Sequence, residues 1–151
     1  MQELFKIINE NIDKCAHSTG ASDELIAKAE RYLGLKFPES YKYFLKTYGY
    51  LAIGGEEIYG IIDGDFEDSR IPDAIWLTKK EHERNPELKH LVVVYFTGDE
   101  FFYCLDTSRM NNGECPVVII DVSFEGETED VHDTFKEFVK DCIEIAFNME
   151  L

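Results

Sequence analysis

Six carboxylates fall within the fifteen residues Gly54–Asp68 (GGEEIYGIIDGDFED): Glu56, Glu57, Asp63, Asp65, Glu67 and Asp68, with neither Lys nor Arg among them. Carboxylates at this density can hold a metal ion, act as an acid–base pair, or present a negative face to a partner. Asp63-Gly64-Asp65 opens like a hand-shaped Ca²⁺ loop, whose ligands sit at positions 1, 3, 5 and 12 with Gly at 6. Asp68 stands where the sharp turn needs that Gly, and Ala74 where the bidentate Glu is required, so only weak, adventitious cation binding is left open. A zinc site wants three or four ligands at short spacing, yet His17, His82, His90 and His132 are scattered and none belongs to H-E-x-x-H. A G-x-S-x-G elbow is missing, and no Cys sits in a nucleophile motif. Gly54-Gly55 runs into Glu56-Glu57, which would repel a phosphate rather than cradle it. Neighbouring strand residues point to opposite faces, so Glu56 and Glu57 make poor partners for one substrate. No cofactor, metal or catalytic residue is expected, and the remaining use of the charge is recognition.

The wider charge distribution agrees. The chain has 151 residues and a net charge of −16. Through Tyr48 seven acids balance seven bases, so the whole excess lies in Gly49–Leu151, where 24 acids face 8 bases. Such a field argues against direct contact with nucleic acid or an anionic membrane, and it attracts basic proteins. Acidity that merely keeps a protein soluble is the plainer alternative. Apolar and aromatic contents of 44% and 13% indicate an ordered, globular chain. No apolar run approaches the ~20 residues of a membrane helix, and MQELFKIINENIDK lacks the core of a secretion signal. Cys104, Cys115 and Cys142 sit among apolar neighbours, which favours packed, reduced thiols and a cytoplasmic setting.

The elements that must position these residues are legible in part. Leu4, Phe5, Ile8 and Ile12 fall at helical spacing. After the break H-S-T-G-A-S, Ser22 caps a second helix that Gly34 stops. Pro38 opens a third, with Tyr41, Phe44, Leu45 and Tyr48 on one face and Gly49 at its end. Then the period changes. Leu51–Ile53 and Ile58–Ile62 read as short strands, and Ala74–Thr78 (AIWLT) as another, followed by a short charged helix over Lys79–Asn85. Leu91–Phe96, Phe101–Leu105 and Pro116–Val122 are the clearest strands. Thr97-Gly98-Asp99-Glu100 and Asn111-Asn112-Gly113-Glu114 join them as hairpin turns. Phe124–Asp130 reads as a polar loop, and a long final helix is expected from Val131, with His132 in its first turn. The expectation is one α+β domain over 1–151: an antiparallel sheet flanked by N-terminal helices and a long C-terminal helix.

Taken in order, I26-x-x-A-E-x-x-L-G-L-K-F-P-E-S-Y-K-x-F-L-x-x-Y-G-Y, then G54-G-E-E-I-Y-G60, then A74-I-W-L-T resemble the SUKH superfamily, which contains a yeast regulator of cell-wall assembly and many bacterial immunity proteins. Glu30, Leu33-Gly34, Phe37-Pro38, Tyr41, Phe44-Leu45 and Gly49 match the first part of its pattern; Gly55, Ile58 and Gly60 match the second. Gly98-Asp99, Tyr103, Leu105-Asp106, Pro116-Val117 and Phe135-x-x-Phe138-Val139 resemble its later strands and closing helix. The likeness runs from about Ala21 to Phe147. It departs at Tyr48, where many members carry Asn, and at Phe37, where many carry Leu.

What the resemblance implies is binding rather than catalysis. Immunity proteins mask a toxin, often a nuclease, and a carboxylate-rich face suits the basic groove such a toxin presents to its polyanion. The expected face comprises Glu56, Glu57, Asp63, Asp65, Glu67 and Asp68, joined by Asp99 and Glu100, with Tyr59 and Trp76 as aromatic anchors. Trp76 also reads, and more readily, as a core residue of a central strand. A regulatory or scaffold module recognising a cellular protein is the alternative, and a small-molecule or enzymatic domain built on the groove between helices and sheet is a third.

Overall fold

The computed structural model describes residues 1–123 and 126–151. In chain order it has α1 (Gln2–Glu10), β1 (Cys15–His17), α2 (Asp23–Leu33), α3 (Glu39–Tyr48), β2 (Leu51–Ile53), β3 (Glu56–Ile58), α4 (Ala74–Arg84), β4 (Leu91–Phe96), β5 (Phe101–Asp106), β6 (Val117–Asp121), β7 (Glu129–His132) and α5 (Phe135–Phe147). The fold is α+β. Two antiparallel sheets, ordered β1-β2-β3 and β4-β5-β6-β7, meet where the Tyr59 N–H donates to the Val94 carbonyl at 2.8 Å.

The helices begin and end where local chemistry dictates. Ser22 accepts the Leu25 N–H at 3.1 Å, and Gly34 closes α2 in the left-handed conformation. The N-terminus of α3 is capped from outside: the Glu114 carboxylate takes both the Ser40 N–H (2.9 Å) and its hydroxyl (2.6 Å). Asn112 and Gly113 both have positive φ (53° and 79°), giving the expected left-handed turn between β5 and β6.

Alternation along the strands divides the apolar residues between two clusters. The larger lies under α1, α2, α3 and α5 and contains Tyr41, Phe44, Val92, Val94, Leu105, Val117, Phe135 and Phe138. The smaller lies under α4, with Leu91, Val93, Phe102, Cys104, Val118 and Ile120. A bulge between Val93 and Tyr95 places the consecutive Val94 and Tyr95 on the same side, so the Tyr95 ring packs on Phe138 of α5 (5.6 Å). The four cysteines are free thiols, and Cys104, Cys115 and Cys142 are buried in these clusters, as expected.

Five expectations about elements need correction. Ala74–Thr78 is no strand: with Lys79–Arg84 it forms the single helix α4. Ile58–Ile62 keeps only its first residue in β3, because the chain leaves the sheet at Gly60 to pair with Pro72 and Asp73. The final helix starts at Phe135, capped by Thr134, whereas Val131 and His132 belong to β7. The segment H-S-T-G-A-S does break the helices, but its His17 lies in edge strand β1. Of the expected loop Phe124–Asp130, Phe124 and Glu125 lie outside the described residues, and Glu129 and Asp130 are paired in β7.

Candidate partner-binding site

The acidic stretch becomes a closed loop between β3 and α4. Its neck is held by backbone bonds from Gly60 N–H to Pro72 O (3.0 Å) and from Ala74 N–H to Gly60 O (2.7 Å), while Ile61 N–H reaches Gly49 O (2.9 Å). Gly60 is obligatory there: a Cβ would stand 1.7 Å from the Gly49 carbonyl oxygen. Asp73, fully buried, ties the neck to the helix. Its Oδ1 accepts the N–H groups of Ile75 (3.0 Å) and Trp76 (2.9 Å), and its Oδ2 that of Ile62 (3.3 Å). Burial nonetheless raises its pKa to about 6, against the pull of those three donors.

Within the loop two aspartates hold the backbone. Asp63 accepts the Asp65 N–H at 2.9 Å, and Asp65 accepts the N–H groups of Glu67 (3.2 Å) and Asp68 (3.1 Å). Phe66 turns inward and is buried, its ring 5.5 Å from that of Tyr32 on α2. Lys28 of α2 donates to the Gly64 carbonyl at 2.7 Å and lies 5.2 Å from the Phe66 ring centre. Asp63, Asp65, Glu67 and Asp68 are all exposed, so the loop is pinned from beneath and negative on top.

Beside the loop, α4 lays Trp76, Lys79, Lys80 and Glu83 along one stripe at i, i+3, i+4 and i+7. Facing Tyr32, Phe66 and Glu67, this stripe closes a slot of about 200 Å³. The Lys79 and Lys80 ammonium groups sit over the Tyr32 and Trp76 rings, 5.2 and 5.1 Å from their centres. Partial burial, then the negative fields of Glu67, Glu83 and Asp65, raise the Tyr32 phenol above its usual pKa.

The other expected residues divide. Glu56 and Glu57 lie half-buried on β3 and point to opposite sides of the sheet; Glu56 accepts the Tyr95 hydroxyl at 2.6 Å, on the α5 side. Asp99 and Glu100 are exposed in the β4–β5 turn, where Asp99 accepts the Glu100 N–H at 2.7 Å and the Thr97 hydroxyl, bonds that lower its pKa. Tyr59 must be corrected: it is only 5% exposed, in the cluster under α4, so it is a packing residue and no surface anchor. Trp76 is neither on a strand nor in the core; it is half-buried in the first turn of α4, at the edge of the slot. Tyr32, Phe66, Lys79, Lys80 and Glu83 were missed by sequence reasoning. The i, i+3, i+4, i+7 spacing from Trp76 to Glu83 was the available signal, obscured by reading AIWLT as a strand.

Among the described residues no three His, Cys, Asp or Glu side chains converge closely enough to hold a metal ion, and no helix is long and apolar enough to cross a membrane. The loop and slot can offer a partner protein fixed carboxylates beside aromatic rings. A model of the family SUKH_5, described as SMI1-KNR4 cell-wall, matches residues 1–144, nearly the whole chain. The chain therefore belongs to the SUKH superfamily.

Proposed function

We propose that this protein is an immunity protein: a non-enzymatic cytoplasmic binder that neutralises a basic bacterial toxin domain, of the nuclease type, by covering its substrate groove. The observation that carries this reading is the acidic loop, whose exposed carboxylates stand on a backbone closed at Gly60–Asp73 and anchored by Phe66. A negative face that is already ordered speeds encounter with a positive groove and loses little freedom on docking. The interface comprises Asp63, Asp65, Glu67, Asp68 and Trp76, extended by Glu57 and by Asp99 and Glu100.

Two experiments test it. Reading frames adjacent in the native DNA are expressed alone and with this protein, and scored for growth and co-purification. A frame that kills alone, is tolerated together and co-purifies at fixed stoichiometry supports immunity; toxicity without binding removes it. With that partner in hand, the Glu57→Lys, Asp68→Lys, Glu100→Lys variant is expected to lower the association rate at low salt by about tenfold or more, with the deficit shrinking at high salt. Unchanged kinetics would refute the acidic interface. The family description, SMI1-KNR4 cell-wall, supports a second reading, a regulatory module for a cellular protein. Its partner would co-purify equally well and be harmless when expressed alone.

A further inference from the structure

The slot between α2, α4 and the acidic loop has chemistry beyond general negative charge. Three aromatic rings, Tyr32, Phe66 and Trp76, each carry one of the protein's own ammonium groups at 5.1–5.2 Å. Two carboxylates, Glu67 and Glu83, line the same cavity. Among the described residues neither forms an ion pair within 4.0 Å, although Lys79 and Lys80 share the slot with them. The lysines therefore face the rings and leave the carboxylates unpaired. At about 200 Å³ the space is smaller than the roughly 300–1,000 Å³ of small-molecule pockets. It has room for one long side chain.

We propose that this slot receives a single arginine side chain of a basic partner protein. A guanidinium is planar, stacks on Trp and Tyr faces, sheds water more readily than an ammonium, and pairs in a forked manner with a carboxylate. It can stack on the Tyr32 or Trp76 ring and also bond Glu67 or Glu83, which the resident lysines do not do. Lys79 and Lys80, on flexible stems at the rim, move aside as it enters. They oppose the incoming charge, so they act as a weak internal competitor that sets affinity. The slot adjoins the proposed acidic interface and rests on that reading for its partner, yet its own chemistry is testable without one.

Trp76 is the chain's one tryptophan, so its fluorescence reports on the slot directly. The intact protein is titrated with acetyl-Gly-Arg-Gly-Arg-Gly-amide and with the same peptide carrying citrulline, which keeps the shape and loses the charge. A saturable change is expected with arginine and none with citrulline. Removing both carboxylates (Glu67→Gln, Glu83→Gln), with the circular dichroism unchanged, should weaken binding roughly fivefold, as for paired but exposed charges. Removing the competitor (Lys79→Ala, Lys80→Ala) should tighten it about two- to fivefold. Equal responses to both peptides, a flat titration, or loss of binding on removing the lysines would overturn the proposal; the last outcome would instead mark an anion site. A flat titration beside an intact, salt-dependent partner association overturns the slot and leaves the acidic face standing. A peptide signal in a protein that protects against no toxin does the reverse.

Discussion

Replacing Gly60 by Ala should cost more stability than any other small change in the acidic loop. The added Cβ would lie 1.7 Å from Gly49 O, 2.8 Å from Gly49 C and 3.0 Å from Leu45 Cδ2. The first two are backbone atoms, so no rotamer change relieves the clash. Separation of Gly60 from Gly49 breaks the bond of Ile61 N–H to Gly49 O. One bond at ~1 kcal/mol, plus ~1–2 kcal/mol for a buried group left unpaired, gives a loss of about 2–3 kcal/mol. That is a sizeable part of the roughly 5–15 kcal/mol that holds a domain together. Urea titration followed in parallel by Trp76 fluorescence and far-ultraviolet circular dichroism measures it. Gly64→Ala, in the same loop, is the control: its Cβ would meet only Leu25 Cδ1 at 3.6 Å and Lys28 Nζ at 3.7 Å, ordinary contacts, so a change within about 0.5 kcal/mol is expected. A Gly60→Ala loss below about 1 kcal/mol, or equal to that of Gly64→Ala, would refute the close-approach reasoning.

Two further expectations concern the loop's supports. The folded pKa of Asp73 is about 6 against 3.8 for an unperturbed group, so ionisation at this site opposes folding. The group's unfavourable contribution is absent below pH 4, grows as pH rises from about 4 to 6, and levels off above at roughly 3 kcal/mol. Asp73→Asn should flatten that segment of the stability–pH curve, and an unchanged slope between pH 4 and 6 would refute the assignment. Phe66→Ala removes the buried anchor of the loop at a cost of about 3 kcal/mol. Amide exchange at Asp65, Glu67 and Asp68 should accelerate more than in α3, and uniform acceleration would show the loop is no separate unit.

How far the sequence discloses this arrangement depends on whether the deciding interaction is local. Ser22, Gly34, Gly49 and Asn112-Gly113 act on their own backbone, so α2, α3 and the β5–β6 turn can be read directly from residue type. β-strand character in Ala74–Thr78 misleads because Ile, Trp, Leu and Thr all suit a strand; the signal that wins is Asp73, whose carboxylate caps the first turn and commits the segment to α4. Strands β1 and β7 are short, poor in large apolar residues and held at sheet edges by neighbours distant in sequence, so CAH and EDVH carry no periodicity of their own. The exposed acids of the loop were identifiable because charge seeks water. Tyr59 was not, since its burial depends on α4 packing over that face of the sheet, and the slot depends on the same helix.

The four loop carboxylates are not equivalent, and their division of labour bears on how the surface can change. Asp63 and Asp65 accept backbone N–H groups and define the curve of the loop. Glu67 and Asp68 contribute only their own N–H groups to that scaffold, so their side chains can be exchanged without redrawing it. Shape is thereby decoupled from identity. A lineage facing a new partner can rewrite the exposed lettering at these two positions, one residue at a time, on a frame that keeps its form.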